Sequence, residues 1–416
     1  MADNLYFIES IYTPTDSTKS VVSLLSAREN EQTVIVRNLE EQQLKMYNHM
    51  GTIREGWYVY YDEGKQVPFG YGNLSHYARE QFREYYVLRN QLVGRLIDAD
   101  SEAAIVPSCF QGKKTKVTSY HINVGHGNCS IVLIEAGSFY QIWMVDCSII
   151  DKTDHWRSYK GNLELCFHEI ARKLGKNKDA KLHIDRFFLT HAHHDHYSGV
   201  EYLINNRLID ARTLCYVNIY YQMAGKAYNK MLKALNDAKV KILEPISDNS
   251  KEAISFLHPE KRIYRSKATV KNTADDYRVV ERPVNDSSVV LSINAGGKTM
   301  VFPGDLEQEG FNKMSGTGNC GPHLFDADFY VVAHHGSLNG HPTMPCRVQP
   351  QREKWPMICI KNNLKKVILM GRNGAYSKIY SQQVVDEWNQ TGKLVISENA
   401  PHFVELDWEY EKEIMH

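Results

Sequence analysis

The chain has 416 residues, with 49 Lys+Arg matched by 49 Asp+Glu, and is 43% hydrophobic and 24% charged. That is an ordinary globular composition, and its zero net charge is too weak a signal to indicate nucleic-acid binding by itself. The length exceeds what one core usually serves, so two domains or one decorated domain are expected. No run of ~18 apolar residues is present, so no transmembrane helix is expected. The opening residues, MADNLYFIES, lack a basic stretch followed by an apolar core, so no secretory signal is expected. Eight cysteines without C-x-x-C pairs argue against a disulfide framework and a zinc ribbon, and a cytoplasmic, reduced protein follows. Cys147, beside Asp146, reads as a small buried core residue rather than a nucleophile.

Residues 1 to 112 hold ten Lys+Arg and fifteen Asp+Glu, or −5, which leaves +5 for the remainder. The bias is mild and compatible with an anionic substrate in the second part. Within 1–112, an N-terminal α+β domain is expected. Thr33 to Asn38 and Trp57 to Tyr61 are short β-rich runs, separated by a polar segment around Glu40 to Met50 with helical character. Tyr77 to Ile97 reads as a long helix, with Tyr77, Phe82, Tyr85, Tyr86, Leu88, Leu92 and Leu96 near helical spacing. Arg79, Arg83 and Arg89 among its aromatics suggest a stacking surface for single-stranded nucleic acid. The plainer alternative, an amphipathic helix packing its aromatics into a core, agrees better with the acidic balance. The segment also offers a surface for a protein partner.

Residues 113–416 read as a second domain. Strands are expected at Val117 to Val124, Ile131 to Glu135 and Ile142 to Asp146, with the turn Gly125-His126-Gly127-Asn128 after the first. A helix around Leu163 to Leu174 leads to the apolar run Ile184 to Leu189, which reads as a buried strand. Directly behind it stands His191-Ala192-His193-His194-Asp195-His196. Imidazole and carboxylate at a strand end are the donors that borderline divalent metals prefer. In H-x-H-x-D-H, His191 and His193 project from one side of the turn and Asp195 and His196 from the other, enough for two neighbouring metals. His194 is expected to face away. A histidine-rich solvated loop is the bland alternative.

Helices are expected at Gly199 to Asn206 and Ala227 to Ala238, around a strand at Thr213 to Ile219. The basic stretch holding Lys261, Arg262, Arg265 and Lys267 suggests a loop that grips an anionic substrate, or simply a solvated loop. Asn285-Asp286-Ser287-Ser288 opens a strand, Val289 to Ile293. The next, Thr299 to Phe302, ends in Pro303-Gly304-Asp305. Phe329 to Ala333 ends in His334-His335-Gly336-Ser337. Lys366 to Met370, a helix at Ser381 to Trp388 and Lys393 to Ile396 close the chain.

H-x-H-x-D-H, a strand closing on Gly-Asp and H-H-G-S, in this order, resemble the metallo-β-lactamase-fold hydrolases. The likeness is greatest to the hydrolase domain of the DNA-uptake channel protein ComEC, and it covers roughly Lys116 to Trp408. His126 stands where that family usually has glutamine. The resemblance implies an αββα sandwich, giving an α/β fold with an additional N-terminal α+β domain. It also implies two divalent metal ions, Zn²⁺ or Mn²⁺. His191, His193 and a shared Asp305 would hold the first, and Asp195, His196, Asp305 and His335 the second, with His334 as the alternative to His335. Asp146 would support the histidines by hydrogen bonds. No histidine lies near Asn285 to Ser288, where many members supply another ligand, so the first metal should bind less tightly. The implied activity is hydrolysis through a bridging hydroxide, with Asp195 and Asp305 as catalytic carboxylates. A phosphodiesterase or nuclease acting on nucleic acid or nucleotide comes first. A lactone, thioester or β-lactam hydrolase is the alternative, and a partner-binding sensor with a vestigial metal site a further one. Ser287, Ser288, Ser337, Asn373 and Tyr376 are the expected contacts to substrate oxygens.

Overall fold

Ile131 to Ile134 and Val289 to Leu291 are unbroken apolar runs, the pattern of strands covered on both faces. The computed structural model describes residues 4–13, 17–27, 33–44, 53–111, 114–178, 180–221, 223–259, 284–307, 310–311, 327–341, 364–375 and 379–416. It buries both registers of these strands.

The N-terminal strands are β1 (Leu5–Tyr12), β2 (Lys19–Ser26), β3 (Thr33–Glu40), β4 (Tyr58–Asp62) and β5 (Val67–Tyr71), with helices α1 (Glu41–Leu44) and α2 (His76–Val93). After them come β6 (Lys116–Ile122), β7 (Cys129–Ala136), β8 (Phe139–Cys147), β9 (Ile150–Asp151), β10 (Arg157–Ser158) and α3 (Lys160–Lys173). The middle holds β11 (Arg186–Phe188), α4 (His194–Tyr197), α5 (Val200–Asn205), β12 (Leu214–Tyr216), α6 (Lys226–Asp237), β13 (Lys241–Leu243) and β14 (Ile254–His258). The last part holds β15 (Val290–Ala295), β16 (Lys298–Phe302), β17 (Phe329–Val331), β18 (Lys366–Leu369), α7 (Gln382–Asn389), β19 (Leu394–Ile396), β20 (Phe403–Asp407) and β21 (Lys412–Met415).

Two sheets make the body: an eight-stranded one ordered β13-β12-β11-β8-β7-β6-β20-β21 and a six-stranded one ordered β14-β15-β16-β17-β18-β19. Strand alternation divides each sheet between two cores. Val132, Ile134, Trp143, Val145 and Phe188 of the first sheet meet Leu291, Ile293, Met300, Phe302 and Phe329 of the second. The opposite register of the first sheet, with Ile131, Leu133, Ile142, Met144 and Phe187, packs on α2, α3, α5 and α6. The opposite register of the second, with Val290, Val301, Tyr330 and Val367, packs on Val384, Val385 and Trp388 of α7. The layer order is therefore helix, sheet, sheet, helix. Each fully buried Leu, Ile or Phe contributes about 1.5–3 kcal/mol, so the inter-sheet layer is a large share of the stability.

Each sheet combines an antiparallel part with a parallel part. β8, β11, β12 and β13 run parallel in one, and β16, β17, β18 and β19 in the other. Loops at the carboxyl ends of parallel strands are where α/β sheets hold ligands.

The N-terminal strands form an antiparallel sheet ordered β3-β2-β1-β4-β5. One face, with Tyr6, Ile8, Val22, Leu24 and Val59, has a core of its own. Leu5, Phe7, Leu25 and Tyr58 instead join the core of the helical layer. α2 starts at Ser75, whose Oγ accepts from the Ala78 amide at 3.2 Å. It buries Phe82, Tyr85, Leu88 and Leu92 in that same layer, and Tyr85 Oη donates to the Ile219 carbonyl at 3.3 Å. Its aromatics are core residues, as the amphipathic alternative had it. Gly225 is required where the two parts touch, because a Cβ there would meet Phe7 Cε1 at 2.8 Å. β1, β2, β5, β9, β10, β13, β20 and β21 were not expected from the sequence. Among the described residues no helix is long and apolar enough to cross a membrane.

Candidate metal centre

Four strand ends converge between the two sheets. At the end of β8, Asp146 adopts a left-handed backbone (φ 55°). Its carboxylate accepts from the Thr190 amide, the Thr190 hydroxyl and His196 Nδ1, each at 2.8 Å. Behind β11 the chain passes Thr190 and His191, and the single turn α4 then carries His194, Asp195 and His196. Behind β16, Gly304 (φ 58°) lets the turn of the second sheet approach the first, since a Cβ there would meet Thr190 Cβ at 2.7 Å. Asp305 follows, its amide donating to Ser288 Oγ at 3.2 Å. Behind β17, His334 (φ 48°), His335 (φ 52°) and Gly336 (φ 78°) are all left-handed.

The ligand atoms of Asp195, His196, Asp305 and His335 lie within 4.8 Å of one another. His335 Nε2 is 3.3 Å from both Asp195 Oδ2 and Asp305 Oδ2, and His196 Nε2 is 3.2 Å from Asp305 Oδ1. His191 Nε2 lies 3.2 Å from His193 Nδ1 and 3.8 Å from Asp305 Oδ2. Although so close, His196 Nε2, His335 Nε2 and Asp305 Oδ1 are buried without a hydrogen bond of good geometry among the described residues. Buried polar atoms rarely stay so unless something else satisfies them. The other ring nitrogens are engaged: His196 Nδ1 by Asp146, His335 Nδ1 by the Met370 carbonyl at 2.9 Å and His191 Nδ1 by Thr190 Oγ1 at 3.1 Å. Outer partners of this kind orient metal-binding imidazoles and leave the inward nitrogen free to ligate. The donor set fits divalent metal.

Electrostatics agree. Burial alone would raise the Asp305 carboxyl, but His335, His196 and His334 outweigh it and hold it well below the usual carboxylate range. Asp195 is likewise held low against burial, chiefly by His335 and His196. Burial opposes charge on His335 and His196. Asp305 and Asp195 nevertheless push His335 up to about 10, and Asp305 and Asp146 hold His196 well above the usual imidazole range. Both therefore carry protons that a divalent cation would displace on binding. His191 is driven down by burial and by His196, so it is a neutral imidazole with a lone pair to offer.

The remaining expected residues fall in several places. His194 turns away from the cluster, its ring against Trp156 and Tyr197 at 5.6 and 5.5 Å. His126 borders the cluster, Nε2 3.4 Å from Asp195 Oδ2. The serines have structural work: Ser288 Oγ takes the Asp305 amide, Ser337 Oγ takes the Gly340 amide at 3.0 Å, and Ser287, also buried, offers its carbonyl to Tyr221 Oη at 2.5 Å. Asn373 is exposed, its amide on Glu398 Oε2 at 3.3 Å. None of these four lines the cavity over the cluster. Tyr376, Lys261, Arg262, Arg265 and Lys267 lie outside the described residues.

That cavity is about 40 Å³, and half its wall was not foreseen. His126, His193, Asp195, Asp305, His334 and His335 form the floor, while Glu9, Ser10, Ile11 and Tyr12 of β1 and Val21 and Ser23 of β2 form a roof. Glu9 Oε1 accepts from the His194 amide at 3.3 Å and pairs with Lys152. Glu55 Oε1 accepts from the Ile11 amide at 2.9 Å and lies 3.8 Å from His193 Nε2. Nothing in the local sequence around Glu9 or Glu55 marks them, since the residues through which they reach the cluster, Lys152, His194 and His193, lie over a hundred residues away.

No family model matches the chain, and no curated protein matches it. Among solved structures, one that matches is the crystal structure of the metallo-beta-lactamase fold protein YhfI from Bacillus subtilis. It is 13% identical with a TM-score of 0.38, over 70% of this chain and 99% of that chain.

Proposed function

We propose that this chain is a metal-dependent hydrolase of the metallo-β-lactamase fold, and that it cleaves a phosphodiester in nucleic acid or nucleotide. The observation that carries the hydrolase reading is the cluster of half-buried Asp195 and buried His196, Asp305 and His335, with His196 Nε2, His335 Nε2 and Asp305 Oδ1 unpartnered among the described residues and the outward nitrogens engaged. These four would hold one divalent ion, and His191, His193 and Asp305 a second. Zn²⁺ and Mn²⁺ both suit the donors. Such ions supply Lewis acidity and a water acidic enough to react near neutral pH. The protein's own part is to keep Asp195 and Asp305 ionised, to hold His196 through Asp146 and His335 through Met370, and to cover the site with β1 and β2. Excluding bulk water strengthens every charge interaction beneath that roof.

The phosphodiester part is supported by sequence likeness, namely H-H-G-S and the absence of a histidine near Asn285 to Ser288, both features of the ComEC-like branch. A compact substrate such as a lactone, thioester or β-lactam is the second reading. It is favoured by the cavity of about 40 Å³, which has room for only a few waters. A nucleic acid would need the roof displaced.

The test incubates the full chain, loaded with Zn²⁺ or Mn²⁺, with single- and double-stranded DNA, RNA, a cyclic dinucleotide, a lactone and a thioester, beside Asp195→Ala. Cleavage of a phosphodiester, lost in the variant, is the expected result. Turnover confined to the lactone or thioester would transfer the assignment to the second reading. A chain that binds neither metal would remove both.

A further inference from the structure

His334 is buried at the cluster, yet it belongs to neither group of ligands assigned above. Its Nε2 lies 3.9 Å from Asp305 Oδ2, much as His191 Nε2 lies 3.8 Å from that same oxygen. Two donors, each ~2.1 Å from a tetrahedrally held ion, stand roughly 3.4 Å apart. The 3.8 and 3.9 Å from Asp305 Oδ2 to His191 Nε2 and to His334 Nε2, and the 3.2 Å between His191 Nε2 and His193 Nδ1, lie within about half an ångström of that spacing. We propose that His334 supplies the protein ligand that the His191/His193 position otherwise lacks, so that two consecutive histidines serve the two metals. The proposal rests on the metal-hydrolase reading.

Three further observations support it. A carboxyl group stands at the outer nitrogen: His334 Nδ1 lies 3.4 Å from Glu307 Oε1, a looser approach than the 2.8 Å hydrogen bond between His196 Nδ1 and Asp146. Both His334 (φ 48°, ψ 48°) and His335 (φ 52°, ψ 25°) are left-handed, which costs about 1–3 kcal/mol per non-glycine residue and persists where function demands it. The turn brings both imidazoles to Asp305, whereas a continued strand would send alternate side chains to opposite faces. The ring is also fixed in place. Tyr12 meets it edge-on at 5.6 Å, and a Cβ on Gly340 would lie 2.6 Å from His334 Cβ. Asn285 Nδ2, at 3.3 Å from His334 Nε2, also donates to Glu307 Oε1 at 3.0 Å, so it keeps a partner when Nε2 ligates.

The experiment titrates Co²⁺ into the metal-free full chain and into His334→Ala, His334→Cys and His335→Ala. Stoichiometry is read by elemental analysis, ligand type by absorption, and folding by circular dichroism. The wild type should bind two ions. His334→Ala should bind one, retained by Asp195, His196 and His335, and His335→Ala should lose that other ion instead. His334→Cys should recover the second ion and add a sulfur-to-cobalt charge-transfer band in the near ultraviolet. The cysteine variant keeps the test decisive if alanine perturbs the turn. Two ions bound equally well by His334→Ala, or a folded His334→Cys with no charge-transfer band, would overturn the proposal. Failure of the wild type to bind any Co²⁺ would instead count against the hydrolase reading beneath it.

Discussion

A single carboxylate, Asp146, ties the strand behind the histidine motif to the motif itself. It accepts three hydrogen bonds of 2.8 Å, two from Thr190 and one from His196, so its removal loosens both ends of the turn. Asp146→Asn keeps the shape but turns an amide group toward at least one donor. Metal affinity should fall about 10–100-fold, the usual cost of losing such an outer partner. Competition with a chromophoric chelator measures it, and an unchanged affinity would show that His196 needs no orienting. A second buried histidine sets a pH dependence of its own. His121 Nε2 lies 3.1 Å from Ser119 Oγ and its Nδ1 3.0 Å from Ser130 Oγ, and burial pushes its pKa down to about 3. Below pH ~6.5 the unfolded chain takes up a proton that the folded chain refuses, so stability is full above that pH and falls as pH drops. From pH ~6.5 to ~5 the loss is about 2 kcal/mol. His121→Gln should flatten the fall of Tm over that interval relative to wild type; parallel slopes would refute the assignment.

At the level of elements, the notable one is β1. Its pairing with β2 shifts register between Ile8 and Ser10, leaving Glu9 as the extra residue of a bulge. Bulges re-aim side chains beside functional sites. Here the bulge carries Glu9 to Lys152 and to the His194 amide, which fastens the roof to the turn between β9 and β10 and to α4. Both charged groups are nearly inaccessible, at 8% for Glu9 and 4% for Lys152, so solvent screens the pair little. Lys152→Met should therefore cost about 3–5 kcal/mol by leaving a buried carboxylate without its cation. Adding Glu9→Gln to that variant should recover part of the loss. Chemical denaturation gives both values, and a single-variant cost under about 1 kcal/mol would place the pair with ordinary surface bridges.

For the whole molecule, the candidate centre sits where two sheets and the N-terminal roof meet. Under the proposed reading, a polyanionic substrate would extend beyond the proposed metal pair and release counterions wherever it met Lys or Arg. Replacing Lys261, Arg262, Arg265 and Lys267 together with alanine should weaken nucleic-acid binding and flatten its salt dependence. Turnover at saturation should change little. A variant that processes every active nucleic acid like wild type across a salt series would make that stretch plain solvated surface and remove the basic-loop part of the nuclease proposal.

Much of the centre was legible along the chain. H-x-H-x-D-H, Gly-Asp and H-H-G-S each sit at the end of an apolar run, and a strand followed by its loop is a local event that a short window contains. That His194 faces away was expected from spacing, and Asp146 as a support for the histidines from the family resemblance. Several features were not legible. β1 reads as four successive apolar residues, Leu5 to Ile8, because both its faces are buried, and without alternation a short run does not declare itself a strand. The serines at 287, 288 and 337 looked like substrate contacts because a hydroxyl near a site is ambiguous until its hydrogen-bond partners are known. Glu9 and Glu55 are unremarkable in sequence, since their importance lies in reaching Lys152, His194 and His193 across the fold. The candidate donor types and their order were thus determined by the sequence itself, because donor chemistry is a property of each residue. Which histidine nitrogens turn inward, and what covers them, was decided only by tertiary structure, because burial and hydrogen bonding depend on distant segments meeting.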